Sequence, residues 1–170
     1  VLSELGASVE VIAANPDGLN INDGVGSTKP QLLARTVKET GADIGVAFDG
    51  DGDRIVMVDD LGRIIDGDEI LYLIAKDLKL NGRLQGGVVG TVMSNLGLEL
   101  ALKEIDIPFM RAGVGDRHVM RLLKKHDWQV GGEPSGHVIC LHASPSGDGI
   151  IAGLQVLACM AQNKEKLSVL

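Results

Sequence analysis

The chain has 170 residues, 45% of them hydrophobic, and a formal net charge of −7, so it can bury a core and lacks the basic surface that nucleic-acid binding needs. Aromatics are only 2% of the sequence, so the core must be aliphatic, which suits a sheet covered by helices. No apolar run approaches the roughly 20 residues of a membrane span, and we expect a cytoplasmic protein with neither a membrane nor a nucleic-acid partner.

The opening stretch VLSELGASVEVIAANPDG reads as the last turn of a helix, then Gly6, then a strand over Ser8 to Ala13 that Asn15-Pro16-Asp17-Gly18 breaks. A start in mid-element leads us to expect a piece of a longer protein. Thr28-Lys29-Pro30-Gln31 predicts a helix start, with Thr28 as N-cap and Gln31 completing a capping box, and the helix should stop at Gly41. Ile44 to Phe48 and Arg54 to Val58 read as strands. Asp66 and Glu69 frame a second capping box before the helical stripe Ile70, Leu71, Leu73, Ile74 and Leu78, which Asn81-Gly82 ends.

Beyond it the pattern alternates: strand 87–93, helix 96–105 capped by Ser94-Asn95, strand 109–112, helix 116–125, strands 129–132 and 138–141, and a helix over 148–163. Strands alternating with helices predict an α/β fold of two consecutive domains with mixed, mainly parallel sheets covered by helices. The close pair 129–132 and 138–141 adds an antiparallel edge. We place the boundary near residue 62, giving 1–62 and 63–170, and expect the first part to be truncated. Cys140 and Cys159 follow no metal or redox spacing and read as buried small apolar residues.

The heptapeptide Phe48-Asp49-Gly50-Asp51-Gly52-Asp53-Arg54 lies between two apolar strands. Asp-Gly is a strong turn former, so a solvated hairpin turn is the simplest reading. Three mutually repelling carboxylates in one loop, however, need something to offset them. Oxygen ligands of that number suit a hard cation, Mg²⁺ or Ca²⁺. An EF-hand is excluded, because Arg54 stands where its glycine belongs, Asp60 where its bidentate Glu belongs, and strands flank the loop. Arg54 then has two readings: it offsets the loop's charge, or it joins the cation in holding a phosphoryl group.

The turn Gly132-Glu133-Pro134-Ser135-Gly136-His137 collects a carboxylate, a hydroxyl and an imidazole, the natural partners of sugar hydroxyls. The order is not G-x-S-x-G, so Ser135 does not read as a hydrolase nucleophile; alternatively Ser135 is a turn residue and His137 an edge histidine. Val114-Gly115-Asp116-Arg117-His118 opens a helix. Arg117 there either binds phosphate or sugar or lies in solvent, and Asp116 either joins it or caps the helix. Gly24 to Lys29 is neither a P-loop nor a dinucleotide fingerprint.

Taken together, FDGDGDR, GEPSGH, GTVMSNLGLE, AGVGDRHV and GDGIIAGLQVL resemble the α-D-phosphohexomutase superfamily over essentially the whole chain, most closely its bacterial phosphoglucosamine mutase branch. That resemblance implies most of the second and the third of four domains, with the first and fourth as missing partners, and a whole protein that is a homodimer. It implies that Asp49, Asp51 and Asp53 hold Mg²⁺ and that Arg54 sits by the transferring phosphate. It further implies that Glu133 and Ser135 bind sugar hydroxyls, with His137, Asp116 and Arg117 completing the substrate site. The superfamily's phosphoserine motif, T-A-S-H-N-P, is absent from these residues, so this stretch by itself is expected to be inactive. The implied reaction interconverts glucosamine 6-phosphate and glucosamine 1-phosphate through a phosphoserine and a sugar bisphosphate. The alternatives are a phosphomannomutase/phosphoglucomutase, or a non-catalytic cation- or sugar-binding module.

Overall fold

The computed structural model describes residues 1–170 and shows an α/β protein with two sheets flanked by helices. The first sheet is β1 (Ile44–Phe48), β2 (Ile55–Asp59) and β3 (Ile64–Ile65), in that order. Every pairing in it is antiparallel, with Phe48 opposite Ile55 and Val58 opposite Ile64. The parallel pairing expected of an alternating pattern therefore belongs to the second sheet alone. In the first, the short acidic loop folds β2 straight back on β1. Helix α1 (Gln31–Thr40) covers this sheet through Val37, which is fully buried.

The second sheet is ordered β5 (Phe109–Ala112), β4 (Val88–Thr91), β6 (Val130–Gly132), β7 (Val138–Cys140). β4 runs parallel to β5 and β6, and β7 returns antiparallel to β6 at the edge. The period of two along each strand sends alternate side chains to opposite faces. Val88, Val130, Val138 and Cys140 pack with α2 (Gly67–Leu80), α3 (Leu96–Glu104) and α5 (Gly149–Asn163). Val89, Ala112 and Ile139 pack instead against Val119 and Leu123 of α4 (Asp116–His126). The larger core also takes in Ile55 and Met57 of β2, so one apolar body joins the two sheets. Both cysteines are free and buried, and burial pushes the Cys140 thiol up to about 12.

Local signals explain most of the boundaries. Asp66 accepts from the Asp68 and Glu69 N–H groups at 2.9 and 3.1 Å, and Glu69 accepts from the Asp66 N–H at 3.0 Å, closing the expected capping box. Asn95 caps α3 by accepting from the Gly97 N–H at 2.8 Å. The first helix differs: Pro30 takes the N-cap position with no side-chain cap. Thr28 is used up in a preceding turn that the Lys29 N–H closes on the Gly26 carbonyl at 3.1 Å, so the expected Thr28–Gln31 box does not form. The expected strand over Ser8 to Ala13 is also absent. Those residues have no neighbouring strand, and Val9 and Val11 are 43% and 69% exposed, so the β-branched pattern has neither a ladder nor a core to enter. β3 is two residues long, too short to leave a periodic signal.

Removing the Asp66 cap tests how far α2 depends on it. Asp66→Ala should cost about 1 kcal/mol, lowering Tm by roughly 2–4 °C for a protein of this size by calorimetry.

Candidate functional site

The loop between β1 and β2 places Asp49, Asp51 and Asp53 so that one carboxylate oxygen from each lies within 4.8 Å of the others. Asp49 and Asp53 are half-buried and Asp51 is exposed. The backbone is held from inside the loop, where the Arg54 N–H donates to Asp49 Oδ1 at 3.1 Å, and from outside, where the Gly149 N–H donates to the Gly52 carbonyl at 2.9 Å. Burial pushes the Asp53 carboxyl up, and a hydrogen bond with the neighbouring Asp49 carboxyl pushes it further, while the His137 ring pulls it back. Three oxygens this close, on groups that repel one another, fit a small hard cation such as Mg²⁺. The Arg54 guanidinium is exposed, with Nε 3.8 Å from Asp49 Oδ2.

The turn between β6 and β7 is fastened to this loop. The Ile55 N–H donates to the Gly136 carbonyl at 3.0 Å, and Arg54 and His137 form an isolated antiparallel bridge. His137 is buried, and its Nδ1 lies 2.9 Å from Asp53 Oδ2. At the turn's other end the Gly67 N–H donates to the Pro134 carbonyl at 3.2 Å, which seats the turn on the start of α2. Two glycines permit this closeness. Gly136 has φ +94°, and a Cβ there would overlap the Ile55 carbonyl oxygen; a Cβ on Gly67 would overlap the Glu133 carbonyl oxygen.

Glu133 turns to the start of α4, where its Oε1 accepts from the Gly115 N–H at 2.9 Å. That bond draws in the loop ahead of α4, with Asp116 and Arg117. Asp116 is the first helical residue, after Gly115, and makes no side-chain cap, so the capping alternative for Asp116 is not what the fold uses. Asp116 and Arg117 line a cavity of about 530 Å³ together with Asp53 and His137. Ser135 stands exposed at the tip of its turn. Of the residues singled out in the sequence, Asp53, His137, Asp116 and Arg117 thus line one cavity from three loops, with Asp53–His137 joining the first two, while Asp49, Asp51, Arg54, Glu133 and Ser135 are outside its lining. Arg121, Lys124 and Ser146 also line the cavity and went unnoticed in the sequence. For the first two the available signal was their four- and seven-residue spacing from Arg117.

Residues 66–170 match the family profile described as phosphoglucomutase/phosphomannomutase, alpha/beta/alpha domain III, and residues 1–62 match that for alpha/beta/alpha domain II. The chain belongs to the phosphoglucomutase/phosphomannomutase family. Phosphoglucosamine mutase of Aeromonas hydrophila is 61% identical over 170 residues, covering 100% of this chain and 38% of the relative's length. That of Hahella chejuensis is 62% identical over 161 residues, covering 95% of this chain and 36% of the relative. The chain therefore spans little more than a third of the curated relatives it matches. Among solved structures, a family member from Burkholderia thailandensis is 29% identical with a TM-score of 0.70, over 80% of this chain and 30% of that one. N-acetylphosphoglucosamine mutase of Aspergillus fumigatus, solved in complex with GlcNAc-6P and magnesium, is 26% identical with a TM-score of 0.67, over 89% of this chain and 40% of that one.

The seam between loop and turn is open to direct test. Gly136→Ala forces an alanine into a left-handed conformation against the Ile55 carbonyl, a strain of about 1–3 kcal/mol. Tm should fall by several degrees, and amide exchange at Ile55, which donates to residue 136, should speed up. Unchanged protection at Ile55 would show that the turn is free to move.

Proposed function

We propose that this chain is the central part of a phosphoglucosamine mutase, carrying the end of its second domain (1–62) and its third domain (63–170). The observation that carries the reading is the Asp53–His137 contact at 2.9 Å. It joins the acidic loop to the turn that carries Glu133 and Ser135, which supports a shared site, in a chain 61% identical to phosphoglucosamine mutase of Aeromonas hydrophila over its whole length. The proposed reaction interconverts glucosamine 6-phosphate and glucosamine 1-phosphate in the cytoplasm, with a phosphoserine and a gripping site for the second phosphate contributed from outside residues 1–170.

In this reading Asp49, Asp51 and Asp53 hold Mg²⁺, which supplies neutralisation of the charge on the transferring phosphoryl group. Arg54, exposed beside Asp49 and free to turn its fork outward, binds oxygens of that phosphoryl group. His137 uses Nδ1 on Asp53 and so holds that carboxylate in place. Ser135, at the exposed tip, donates to and accepts from sugar hydroxyls, and Glu133 accepts from them with the carboxylate oxygen that Gly115 leaves free. Asp116 and Arg117 close the far side of the cavity. The chemistry is one of positioning: the chain presents no activated nucleophile of its own, and the cleft aligns a phosphorylated partner with the sugar.

The test is turnover of glucosamine 6-phosphate by the full-length protein. Chelation with EDTA should abolish it and Mg²⁺ restore it. Asp51→Asn should lower kcat roughly a hundredfold, the scale expected when one preorganised charge is lost from a phosphoryl-transfer site. Unaltered Mg²⁺ affinity and rate in that variant would remove the metal assignment. Competition between glucosamine, glucose and mannose phosphates separates a phosphoglucosamine mutase from a phosphomannomutase/phosphoglucomutase. Metal binding without turnover of any of them would leave a non-catalytic binding module.

Glu133→Ala removes both a sugar contact and the acceptor of the Gly115 N–H. Losing such a buried partner costs about 1–3 kcal/mol, so kcat/KM should drop roughly ten- to a hundredfold. Glu133→Gln, which keeps an acceptor for Gly115, should recover part of the loss. Kinetics identical to wild type in both variants would make the turn scaffold only.

A further inference from the structure

The middle strand of the second sheet ends between two loops of the site, the 113–115 loop and the 133–136 turn. β4 lies between β5 and β6 and runs parallel to both. Thr91 stands opposite Ala112, and continuing the Val89–Gly131 register brings Val92 and Met93 level with Pro134 and Ser135. The Glu133–Gly115 bond at 2.9 Å, which joins the β6 turn to the β5 loop, therefore spans the end of β4. From β4 the chain leaves for α3 on one face of the sheet, and from β5 for α4 on the other. Open α/β sheets bind ligands in the crevice outside the carboxyl ends of such strands.

The loop after β4 is pinned from within. Thr91 and Ser94 are buried; Ser94 Oγ accepts from the Thr91 N–H at 3.1 Å, and Thr91 Oγ1 accepts from the Met93 N–H at 3.2 Å. Arg111 Nη1 donates to the Thr91 and Ser94 carbonyls at 3.0 and 2.8 Å. Buried Asp68 accepts from the Asn95 N–H at 2.6 Å. The residue before it, Gly67, donates to the Pro134 carbonyl at 3.2 Å, so successive residues of α2 fasten this loop and the 133–136 turn. With its polar side chains turned in, the loop displays apolar ones, Val92 at 61% and Met93 at 67% exposure. Neighbouring apolar side chains held outward on a fixed backbone mark a contact surface.

We infer that Val92 and Met93 form an apolar lip of the proposed sugar site and pack against a carbon–hydrogen face of the hexose ring, beside the hydroxyl contacts of Glu133 and Ser135. The inference rests on the mutase reading for its ligand and adds two residues to which that reading gives no role. A hexose in the gluco configuration carries its polar substituents around the ring edge and C–H groups on its faces. A hydroxyl-binding turn alone grips only the edge. A flexible thioether adapts its shape to the face. Such packing is the same in ground and transition states, so it acts on KM and leaves kcat alone.

The experiment is calorimetric titration of the full-length protein with glucosamine 6-phosphate in the presence of Mg²⁺. The double variant Val92→Ser/Met93→Gln should bind it roughly five- to tenfold more weakly, the scale of one part-buried apolar side chain, with KM raised to match and kcat unchanged. Met93→Leu, which keeps an apolar side chain of similar size, should bind within about twofold of wild type. Leu100→Ser, at an exposed position more than a turn along α3, should leave affinity unchanged. Tm and Mg²⁺ affinity should match wild type throughout, because these side chains are exposed and none belongs to the carboxylate trio. Affinity of the double variant within about twofold of wild type, or no binding by wild type, overturns the inference. So does a lower Tm with unaltered affinity, which would show that another part of the polypeptide covers the lip. Turnover of glucosamine 6-phosphate by wild type is read separately. Turnover with an indifferent lip leaves the mutase reading standing without this addition. Weakened binding by the double variant of a protein without turnover keeps the lip and removes the reaction.

Discussion

The site depends on a short backbone seam in which the start of β2 hydrogen-bonds to the turn between β6 and β7. The Ile55 N–H to Gly136 carbonyl bond at 3.0 Å, with the Arg54–His137 bridge beside it, joins segments about eighty residues apart in the chain. Backbone bonds of this kind fix position without depending on side-chain rotamers. They hold His137 against Asp53 at 2.9 Å. The seam requires close approach of two main chains, which is why side-chain-free positions occur at Gly136 and Gly67.

The seam in turn needs a rigid support on both sides, and the core provides one. β2 is buried along its whole length, and Ile55 and Met57 share an apolar cluster with α2, α5 and the second sheet. Interiors packed in this way resist small displacements. The acidic loop is thus not a hairpin tip moving by itself, since its far end is anchored where the two sheets share a core. The Gly149 N–H, donated to the Gly52 carbonyl at 2.9 Å, adds a third anchor from the start of α5.

Electrostatics then divides the cleft. On one side stand three carboxylates whose repulsion is only partly offset, since burial and Asp49 push the Asp53 carboxyl up against the pull of His137. On the other stands the row of cations on α4.

Much of this was legible in the residues themselves. Strong local signals such as the Asp66–Glu69 capping box, the Asn95 cap and the Asn81-Gly82 stop act through bonds between near neighbours, so they hold wherever the segment lies. The acidic loop was legible for the same reason, since three alternate carboxylates repel one another in any fold. Thr28 and the Ser8 to Ala13 run misled because their outcome rested on competing partners: a turn that consumed the first, and a missing neighbouring strand for the second. What the sequence determined by itself was the inventory of groups and the helices and strands that carry them. Tertiary structure alone decided that Asp53 meets His137, that Glu133 spends an oxygen on Gly115, and that α4 turns its basic row toward the cleft. These are contacts between distant segments, fixed by which faces the sheets bury, and no local pattern specifies them.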